Sequence, residues 1–537
     1  MLAPEIEDGN IEYKSSLLNV DNERKENLIT QMRRRCIEGN GECIYILGVE
    51  DDGVMTGLSD NEYDETIHNI KILANKNNYF ITLLSKKETE DENKFVYEVL
   101  IREKNDNTYI DIKVAVAGGV DSGKTTLVGC LISGEKDNGR GLARSHVFVY
   151  PHELQTGRTS AISHQIIGYD HEGKIVNYQG LGKLSWQEIV QKSSKIISIL
   201  DLAGHEKYLK TTILGLTSSF PDICMIIVDA NNGIKPMTKE HILLCVTLKI
   251  PFIIVVTKID ICKDRPNILQ ETKQSINRFL KYPGIRRLPF NIKSEDDILT
   301  SIKNIYTESI TPIFYVSNTT GEGVDHLKYF FNIINKKNPS KLINEFVEFH
   351  IDHTFSVYGF GLVLGGHLIS GSIKIGDKLL IGPNNGEYEN VVVRSIYCKK
   401  MPLQHVQCGS YVCLGIKKID KNNIIRGNVI ISMNAPKLSI KTFVARITVL
   451  KAQSTTIRIG YEPVFHCYAI RQVVKILQIN EKKNSRNVSI DDECLRNGDS
   501  ANIVFTFKYT PQYIKIGSRF LLCEGKTKVM GEVIDVL

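Results

Sequence analysis

The chain has 537 residues, of which 42% are hydrophobic and 24% are charged, and its formal net charge is +6. Such a composition is ordinary for globular protein and leaves room for roughly three or four domains of about 150 residues. Low-complexity sequence is excluded, and because no uninterrupted apolar run is long enough to cross a bilayer, we expect no membrane partner. The modest positive charge permits RNA binding without requiring it.

The N-terminal residues and the cysteines indicate the cellular compartment of the protein. The first residues, MLAPEIEDGNIEYK, are acidic and polar, which is not the pattern of a signal peptide. The twelve cysteines are scattered and include no C-x-x-C pair, so buried free thiols are the favoured interpretation. We therefore expect a cytoplasmic protein.

Residues 1–110 precede the first chemical motif and are predicted to form a small α+β domain of unknown role. Helical patterns cover 27–37 and 67–75, and strand patterns cover 42–49 and 94–102. The run Arg33-Arg34-Arg35 favours a solvated helix face, and an RNA contact is the alternative.

The segment 111–338 has the pattern of a doubly wound parallel sheet of the α/β class. Apolar strand patterns alternate there with helical patterns, and the strands lie near 112–117, 196–200, 223–229, 251–256 and 312–316. We expect this segment to be one nucleotide-binding domain.

The first of these strands leads into GGVDSGKT, residues 118–125, and then into an apolar helical pattern. This is a G-x-x-x-x-G-K-[ST] phosphate loop in the strand–loop–helix setting that it requires. Its glycines let backbone N–H groups turn toward phosphate oxygens, and the following helix adds its positive N-terminal end. We expect Lys124 to reach the terminal phosphates and the Thr125 hydroxyl to bind Mg²⁺.

The loop Asp201-Leu202-Ala203-Gly204-His205 follows the second strand. Asp201 is placed to hold Mg²⁺ through water, and the Gly204 N–H is placed to bond a γ-phosphate oxygen. His205 comes next, where many GTPases have the residue that orients the attacking water. At this distance after a phosphate loop, the D-x-x-G pattern predicts a sensor of the triphosphate.

Thr257-Lys258-Ile259-Asp260 follows the fourth strand. The Asp260 carboxylate can accept two N–H bonds from the edge of guanine, which adenine does not offer, and the Lys258 stem can lie against the base. The alternative is a plain strand-to-helix turn with charges. Ser317-Asn318, after the fifth strand, is predicted to form a second loop around the base.

From about residue 340 the pattern changes to short alternating β segments separated by Gly, Asn and Lys turns. This pattern predicts antiparallel barrels. A boundary near 434–436 divides the segment, so we expect two β-barrels, at 340–435 and 436–537.

The order GGVDSGKTTL, DLAGHEKY, TKID, SN resembles the translational GTPases of the elongation factor Tu and elongation factor 1-alpha class. Within that class the sequence is most similar to the GTP-binding protein 1 and 2 family. The strings that carry this likeness are DNGRGLAR (137–144), ELQTGRTS (153–160), DLAGHEKYLKTT (201–212), MTKEH (237–241) and NILQET (267–272). The likeness covers nearly the whole chain.

The resemblance implies a GTPase that converts GTP and water to GDP and phosphate with the help of Mg²⁺. Thr159 would close on Mg²⁺ and the γ-phosphate, so the implied metal ligands are Thr125, Thr159 and Asp201, while His205 would position the water. The expected nucleotide-binding residues are Gly118, Gly119, Val120, Asp121, Ser122, Gly123, Lys124, Thr125, Thr126, Asp201, Gly204, Thr257, Lys258, Asp260, Ser317 and Asn318.

The C-terminal half is also covered by the resemblance. The string GFGLVLGGHLISGSIKIGDKL resembles the family's first barrel, and Gly361, Gly366, Gly371 and Gly376 would turn the chain at barrel corners. In the family, the nucleotide domain and the two barrels together hold an aminoacyl-tRNA, and the GTP-binding surface docks on the ribosome.

The sequence departs from the family's pattern at two places. The base-reading motif begins with Thr257 instead of Asn, which predicts the same guanine selectivity with weaker loop bracing. The first switch reads Gly157-Arg158-Thr159 where elongation factors have Gly-Ile-Thr, so only Val120 remains of an apolar gate beside His205. Arg158 is therefore a candidate catalytic residue that stabilises transition-state charge in cis. The alternative is that Arg158 faces solvent or ribosomal RNA.

Two classes of function remain open. The first is an elongation-factor-like switch that acts in translation or ribosome quality control and binds tRNA-like ligands. The second is a regulatory GTPase whose barrels bind protein partners such as RNA-decay machinery. In either case we expect a monomer that binds GTP.

Overall fold

The computed structural model describes residues 4–5, 9–89, 91, 93–103, 109–148, 153, 162–179, 184–282, 284–336, 342, 345–357, 361–417, 424–451, 457–483, 494–524 and 527–537. The chain divides into two units, one of residues 1–206, 222–242 and 251–340 and one of residues 207–221, 243–250 and 341–537. Within the described ranges, no helix combines the length and apolar character that a membrane crossing needs.

The N-terminal sheet of the first unit has the order β1-β2-β4-β3. Its strands are β1 (Ile11–Lys14), β2 (Glu42–Leu47), β3 (Tyr79–Glu88) and β4 (Phe95–Glu103). Helices α1 (Asn22–Glu38) and α2 (Asp60–Lys76) bury their apolar sides with one face of this sheet. Asp21 caps α1, and Ser59 and Glu62 form a capping box on α2. The segment thus has the predicted α+β character.

The arginine run of α1 is not a uniformly solvated face, which corrects the interpretation of Arg33-Arg34-Arg35. Arg33 and Arg34 are exposed, but Arg35 is buried. The Arg35 guanidinium donates to Glu12 at 2.5 Å and also pairs with Glu5. Because a helix turns only one stripe of residues toward its sheet, the three arginines cannot share one environment.

The second sheet of this unit has seven strands in the order β10-β11-β9-β8-β5-β7-β6. They are β5 (Ile110–Gly118), β6 (Ser163–Tyr169), β7 (Lys195–Asp201), β8 (Ile223–Asp229), β9 (Phe252–Thr257), β10 (Leu288–Asn291) and β11 (Ile310–Tyr315). Neighbouring strands are parallel except β6, which runs antiparallel to β7. The predicted α/β sheet is confirmed, with one antiparallel edge strand that the sequence pattern does not predict.

The helices that follow in the chain are α3 (Lys124–Ser133), α4 (Trp186–Lys192), α5 (Leu209–Ser218), α6 (Pro236–Thr247), α7 (Pro266–Leu280), α8 (Glu295–Asn304) and α9 (Val324–Ile333). Of these, α3, α8 and α9 share a core with the seven-stranded sheet, to which Leu131, Ile298 and Phe330 contribute. Because β5, β7, β9 and β11 are parallel, their carboxyl ends meet at one edge of the sheet. The predicted nucleotide motifs all begin at that edge.

The other face of the N-terminal sheet packs on α8 and α9. Tyr13, Ile46 and Leu100 of the sheet form one buried cluster with Leu299 of α8 and Ile333 of α9. Asn40 and Asn335 add hydrogen bonds across this interface, to the carbonyl oxygens of Lys336 and Gly39. The N-terminal sheet is therefore part of the same packed unit as the seven-stranded sheet.

A buried ionic cluster lies in the same interface. Glu42 at the start of β2 accepts hydrogen bonds from Arg102 of β4 at 2.9 Å and from Lys195 of β7 at 2.8 Å. Both cations also donate to the carbonyl oxygen of Asn332 in α9. Burial lowers the pKa of Lys195 to about 8, against the raising effect of Glu42. The carboxylate and its two cations thus join four segments of the unit: β2, β4, β7 and α9.

In the second unit, the first barrel closes through six strands in the order β15-β20-β12-β13-β19-β16, with β16 pairing back to β15. They are β12 (Glu348–Val357), β13 (Gly361–Ser370), β15 (Lys378–Asn384), β16 (Glu387–Cys398), β19 (Tyr411–Lys417) and β20 (Val429–Ser432). The short strand β17 (Met401–Leu403) pairs with β16, and β14 (Ser372–Lys374) and β18 (His405–Gln407) form a separate two-stranded sheet.

Three of the four predicted corner glycines of this barrel have the expected backbone. Gly361, Gly371 and Gly376 have positive φ angles. Gly366 does not, and the corner prediction is wrong for it: it lies inside β13, opposite Ile351. A Cβ there would stand 2.1 Å from the carbonyl oxygen of His350, so close strand approach is the reason for this glycine.

The second barrel is also closed, in the order β21-β26-β24-β23-β27-β28. Its strands are β21 (Thr442–Lys451), β23 (Val464–Cys467), β24 (Ile470–Lys483), β26 (Ser500–Phe507), β27 (Arg519–Glu524) and β28 (Thr527–Val536), and β22 (Ile457–Arg458) pairs with β25 (Cys494–Leu495) beside them. Phe443, Phe465, Phe505 and Phe520 fill its centre. The predicted pair of antiparallel barrels is confirmed.

His466 makes this barrel sensitive to acid. Burial, followed by the positive charges of Arg471 and Lys210, lowers the pKa of His466 to about 4. Between pH 6.5 and 4 the unfolded chain therefore takes up a proton that the folded barrel refuses, so stability falls as pH falls through this window. We expect His466→Leu to remove part of the loss of melting temperature between pH 6.5 and 5, and His405→Leu, at an exposed histidine, to leave it unchanged. Equal acid sensitivity of both variants would contradict this assignment.

Candidate nucleotide site

The loop of residues 118–125, called here the glycine-rich loop, connects β5 to α3 at the carboxyl edge of the sheet. Gly123 precedes the helix with φ of +84°, and Asp121 adopts φ of +59°, which is uncommon for a residue with a side chain. The Ser122 hydroxyl donates to the carbonyl oxygen of Gly119 at 2.9 Å. The loop therefore curls back on itself in the way that a phosphate cradle requires.

Lys124 is buried at the centre of this loop. Its Nζ donates to the carbonyl oxygen of Gly119 at 2.8 Å. Burial lowers the pKa of Lys124 to about 8, while Asp201 and Asp121 act in the opposite direction. A buried ammonium group in such a place favours an anionic ligand, because added negative charge replaces its lost hydration.

Thr125 and Asp201 meet at the two predicted metal-binding positions. The Thr125 hydroxyl donates to the Asp201 carboxylate at 2.6 Å, and both side chains are buried. Hydroxyl and carboxylate oxygens are the hard donors that Mg²⁺ prefers. The donor set therefore fits this ion.

The loop after β7 lies directly against the glycine-rich loop. A Cβ on Gly204 would stand 2.3 Å from Lys124 Nζ, 2.8 Å from the carbonyl oxygen of Gly118 and 3.0 Å from that of Gly119. Only glycine fits this approach, so the backbone of the D-x-x-G loop can report on whatever binds at Lys124. His205 follows and is partly buried.

Thr257 and Lys258 at the end of β9 brace the glycine-rich loop. The Thr257 hydroxyl donates to the carbonyl oxygen of Ser122 at 2.7 Å, so a brace is present despite the missing Asn. Lys258 has φ of +61°, and its Nζ bonds the carbonyl oxygen of Asp121 at 2.7 Å and the Asp229 carboxylate at 2.9 Å. Burial raises the pKa of Asp229, but its bonds to Lys258 and Asn232 outweigh this and hold the pKa below its usual value.

Asp260 and the loop after β11 lie together. The Thr319 hydroxyl donates to Asp260 at 3.1 Å and also contacts the Ser317 hydroxyl at 3.0 Å. Ser317 is fully buried and its oxygen accepts from the N–H of Thr320. The structure thus brings the predicted base loops to the same edge of the sheet as the glycine-rich loop.

Asp137 is a site residue that the motif argument does not predict. Its carboxylate accepts hydrogen bonds from the N–H groups of Gly139, Gly141 and Ala143, and so shapes the DNGRGLAR segment. Its own N–H donates to the carbonyl oxygen of Asn318 at 2.9 Å, which places this segment against the base loop. The signal in the sequence is the Asp-Asn-Gly turn, which is typical of a carboxylate-capped loop.

Two predicted residues lie outside the described residues: Arg158, the candidate catalytic arginine, and Thr159, the candidate metal ligand. Val120 is described, and its carbonyl oxygen accepts from Lys235 at 3.0 Å. Thr126 follows Thr125 in the first turn of α3. Roles in nucleotide binding for these positions stay predictions.

Comparison with known proteins matches three adjacent segments to domain families. Residues 111–354 match the elongation factor Tu GTP binding domain, residues 361–431 match elongation factor Tu domain 2, and residues 436–537 match the elongation factor Tu C-terminal domain.

Several relatives match over most of this chain. GTP-binding protein 1 of Xenopus laevis is 40% identical over 534 residues, which is 99% of this chain and 79% of the relative. GTP-binding protein 2 of Homo sapiens is 39% identical over 545 residues, 100% of this chain and 88% of the relative. Elongation factor 1-alpha of Methanopyrus kandleri is 28% identical over 415 residues, 73% of this chain and 88% of the relative.

Solved structures show the same fold. Translation elongation factor SelB from Methanococcus maripaludis, in its apo form, has a TM-score of 0.54 and 19% identity and covers 79% of this chain and 80% of its own. A bacterial selenocysteine-specific elongation factor EF-Sec has a TM-score of 0.55 and 20% identity, over 79% of this chain and 58% of its own.

Proposed function

Since the chain belongs to the elongation factor Tu-type GTPases, in the GTP-binding protein 1 and 2 family, and is a GTP hydrolase, we propose that it is a switch in translation or ribosome quality control that binds a tRNA-like ligand. The observation that carries this proposal is the uninterrupted order of the three elongation factor Tu domains along one chain. The likeness to SelB and EF-Sec, both elongation factors by name, supports a ligand of the tRNA class.

In the proposed mechanism, this chain holds the triphosphate and aims one water at it. Lys124 and the N–H groups of the glycine-rich loop bind the phosphates, and Asp260 reads the guanine. Thr125 and Asp201, together with Thr159, would hold Mg²⁺, which neutralises phosphate charge when bound. His205 orients the water without removing its proton. Loss of the γ-phosphate removes the bond that it accepts from the Gly204 N–H, so the loop relaxes and a bound RNA is set free.

His205→Ala is expected to lower GTP hydrolysis about 100-fold with little change in GTP affinity, because a misplaced water costs rate and not binding. Single-turnover hydrolysis and competition binding measure the two quantities separately. His326→Ala, at a partly buried histidine of α9 in the same unit, is the matched control and should hydrolyse GTP normally. Hydrolysis by His205→Ala within threefold of the unchanged protein would remove the water-positioning role.

The RNA part of the proposal is tested by filter binding with charged and uncharged tRNA at several salt concentrations, and by GTP turnover with ribosomes. We expect GTP-dependent binding to charged tRNA and faster turnover on ribosomes in its presence. Absence of tRNA binding even at low salt, where phosphate contacts are strongest, would instead favour the regulatory GTPase that binds protein partners such as RNA-decay machinery.

A further inference from the structure

The part of the site that reads the base differs from the family's pattern, in which the base-reading motif begins with Asn. Here that motif has no side-chain amide at its first position, but a neighbouring loop supplies one. The TKID motif begins with Thr257, whose hydroxyl carries a single proton and donates it to the glycine-rich loop at the carbonyl oxygen of Ser122. That hydroxyl is also 3.2 Å from the carbonyl oxygen of Val228. Thr257 therefore braces the loop but has no proton left for the base.

Asn318 brings an amide to the same place from the loop after β11. A Cβ built on Gly123 would stand 3.5 Å from Thr257 Oγ1 and 3.5 Å from Asn318 Nδ2, so the two side chains converge on the last turn of the glycine-rich loop. Asn318 is only 8% exposed, and among the described residues neither Oδ1 nor Nδ2 of its side-chain amide has a hydrogen-bond partner, so the Nδ2 donor is available to a ligand. A buried amide left unsatisfied by the protein is the group expected of a ligand contact.

The backbone of Asn318 is held by two residues outside its own loop. Its carbonyl oxygen accepts from the N–H of Asp137 at 2.9 Å and from the Cys130 thiol at 3.8 Å. Asp137 is itself fixed by three backbone N–H groups. The backbone that carries the amide is thus positioned before any ligand arrives, which supports a specificity contact.

The two edges of guanine can be assigned to the two loops by chemistry. Its N7 and O6 are both acceptors, and N7 belongs to the imidazole ring that carries the ribose. That ring must lie nearer the phosphates, and so nearer Gly123, than the edge that Asp260 reads. Resting on the proposed function, we propose that the Asn318 amide donates a hydrogen bond to guanine N7 and supplies the contact that Thr257 cannot make.

The test compares GDP with 7-deaza-GDP, in which N7 is replaced by C–H, by displacement of a fluorescent nucleotide from the full chain. The unchanged protein should bind 7-deaza-GDP about tenfold more weakly than GDP, the loss expected for one hydrogen bond. Asn318→Ala should weaken GDP binding by about the same factor and bind both nucleotides equally. Asn318→Ser serves in its place if the alanine variant does not fold.

Two further variants separate this role from general damage to the loop. Thr319→Ala removes the neighbouring bond to Asp260 and should weaken both nucleotides while keeping the difference between them. Thr257→Asn added to Asn318→Ala should restore the difference. Equal binding of both nucleotides by the unchanged protein, or an unchanged difference in Asn318→Ala, overturns the role of Asn318. No binding of GDP at all by the unchanged protein overturns the proposed function and this inference together.

Discussion

Gly204→Ala is expected to lower GTP hydrolysis by about 10²–10³-fold, the range typical of losing one hydrogen-bond donor to a developing negative charge. The added Cβ would stand 2.3 Å from Lys124 Nζ, and it would also meet the carbonyl oxygens of Gly118 and Gly119 at 2.8 and 3.0 Å. The lysine end can move, but the two carbonyl groups belong to the backbone and cannot. The whole D-x-x-G loop must therefore retreat, and its N–H leaves the position from which it can bond a γ-phosphate.

The measurements for this variant are single-turnover hydrolysis and the affinities for GTP and GDP. GTP affinity should fall more than GDP affinity, because GDP lacks the phosphate that the loop senses. Gly284→Ala is a stringent control: Gly284 has a φ of +108°, so alanine adds backbone strain there that it does not add at Gly204, but no atom lies within 4 Å of the added Cβ. A folded Gly204→Ala protein that hydrolyses GTP at the normal rate would show that this loop does not act at the γ-phosphate.

The elements predicted well from the sequence are those whose pattern depends on burial alone. β8 and β9 are buried along their whole length, and their continuous apolar runs leave no other interpretation. β6 and β10 lie at the two edges of the sheet, where pairing on one side only imposes a weaker pattern, and β10 even contains Pro289. Edge strands are therefore not predicted reliably from hydrophobic runs.

The residues of the site also differ in how well the sequence predicts them. The glycine-rich loop is contiguous, so its residues and their geometry follow from one string, and the same holds for Asp201 and Gly204. The partners of Asn318 are not contiguous: Asp137 lies 181 positions before it and reaches it only because α3 returns the chain to the base loop. Arg35 of α1 is likewise paired, while buried, with Glu12 of β1, 23 positions before it. Contacts of this kind exist only after folding.

Glu42→Ala is expected to destabilise the first unit by about 3–5 kcal/mol, the cost typical of removing one partner from a buried ion pair. Arg102 and Lys195 would stay buried, at 2% and 0% side-chain exposure, with only carbonyl and amide oxygens as partners. The repulsion between these two cations would then destabilise the interface between the N-terminal sheet and α9. Because the chain has several domains, hydrogen exchange of β2 and β4 measures the effect better than a single melting temperature.

Comparison of Glu42→Ala with a control variant tests whether the N-terminal sheet stabilises the rest of the first unit. Glu26→Ala removes an exposed pair with Lys76 at 3.1 Å, where both side chains are at least half exposed, and should cost at most about 1 kcal/mol. Loss of exchange protection in β2, β4 and α9 together, with Glu26→Ala unchanged, is the expected result, since Glu42 binds Arg102 and Lys195 and both cations in turn donate to Asn332 of α9. If protection fell in β2 and β4 while α9 and β7 kept theirs, the N-terminal sheet would be an independent domain. The buried cluster would then contribute nothing to the GTPase unit beneath it.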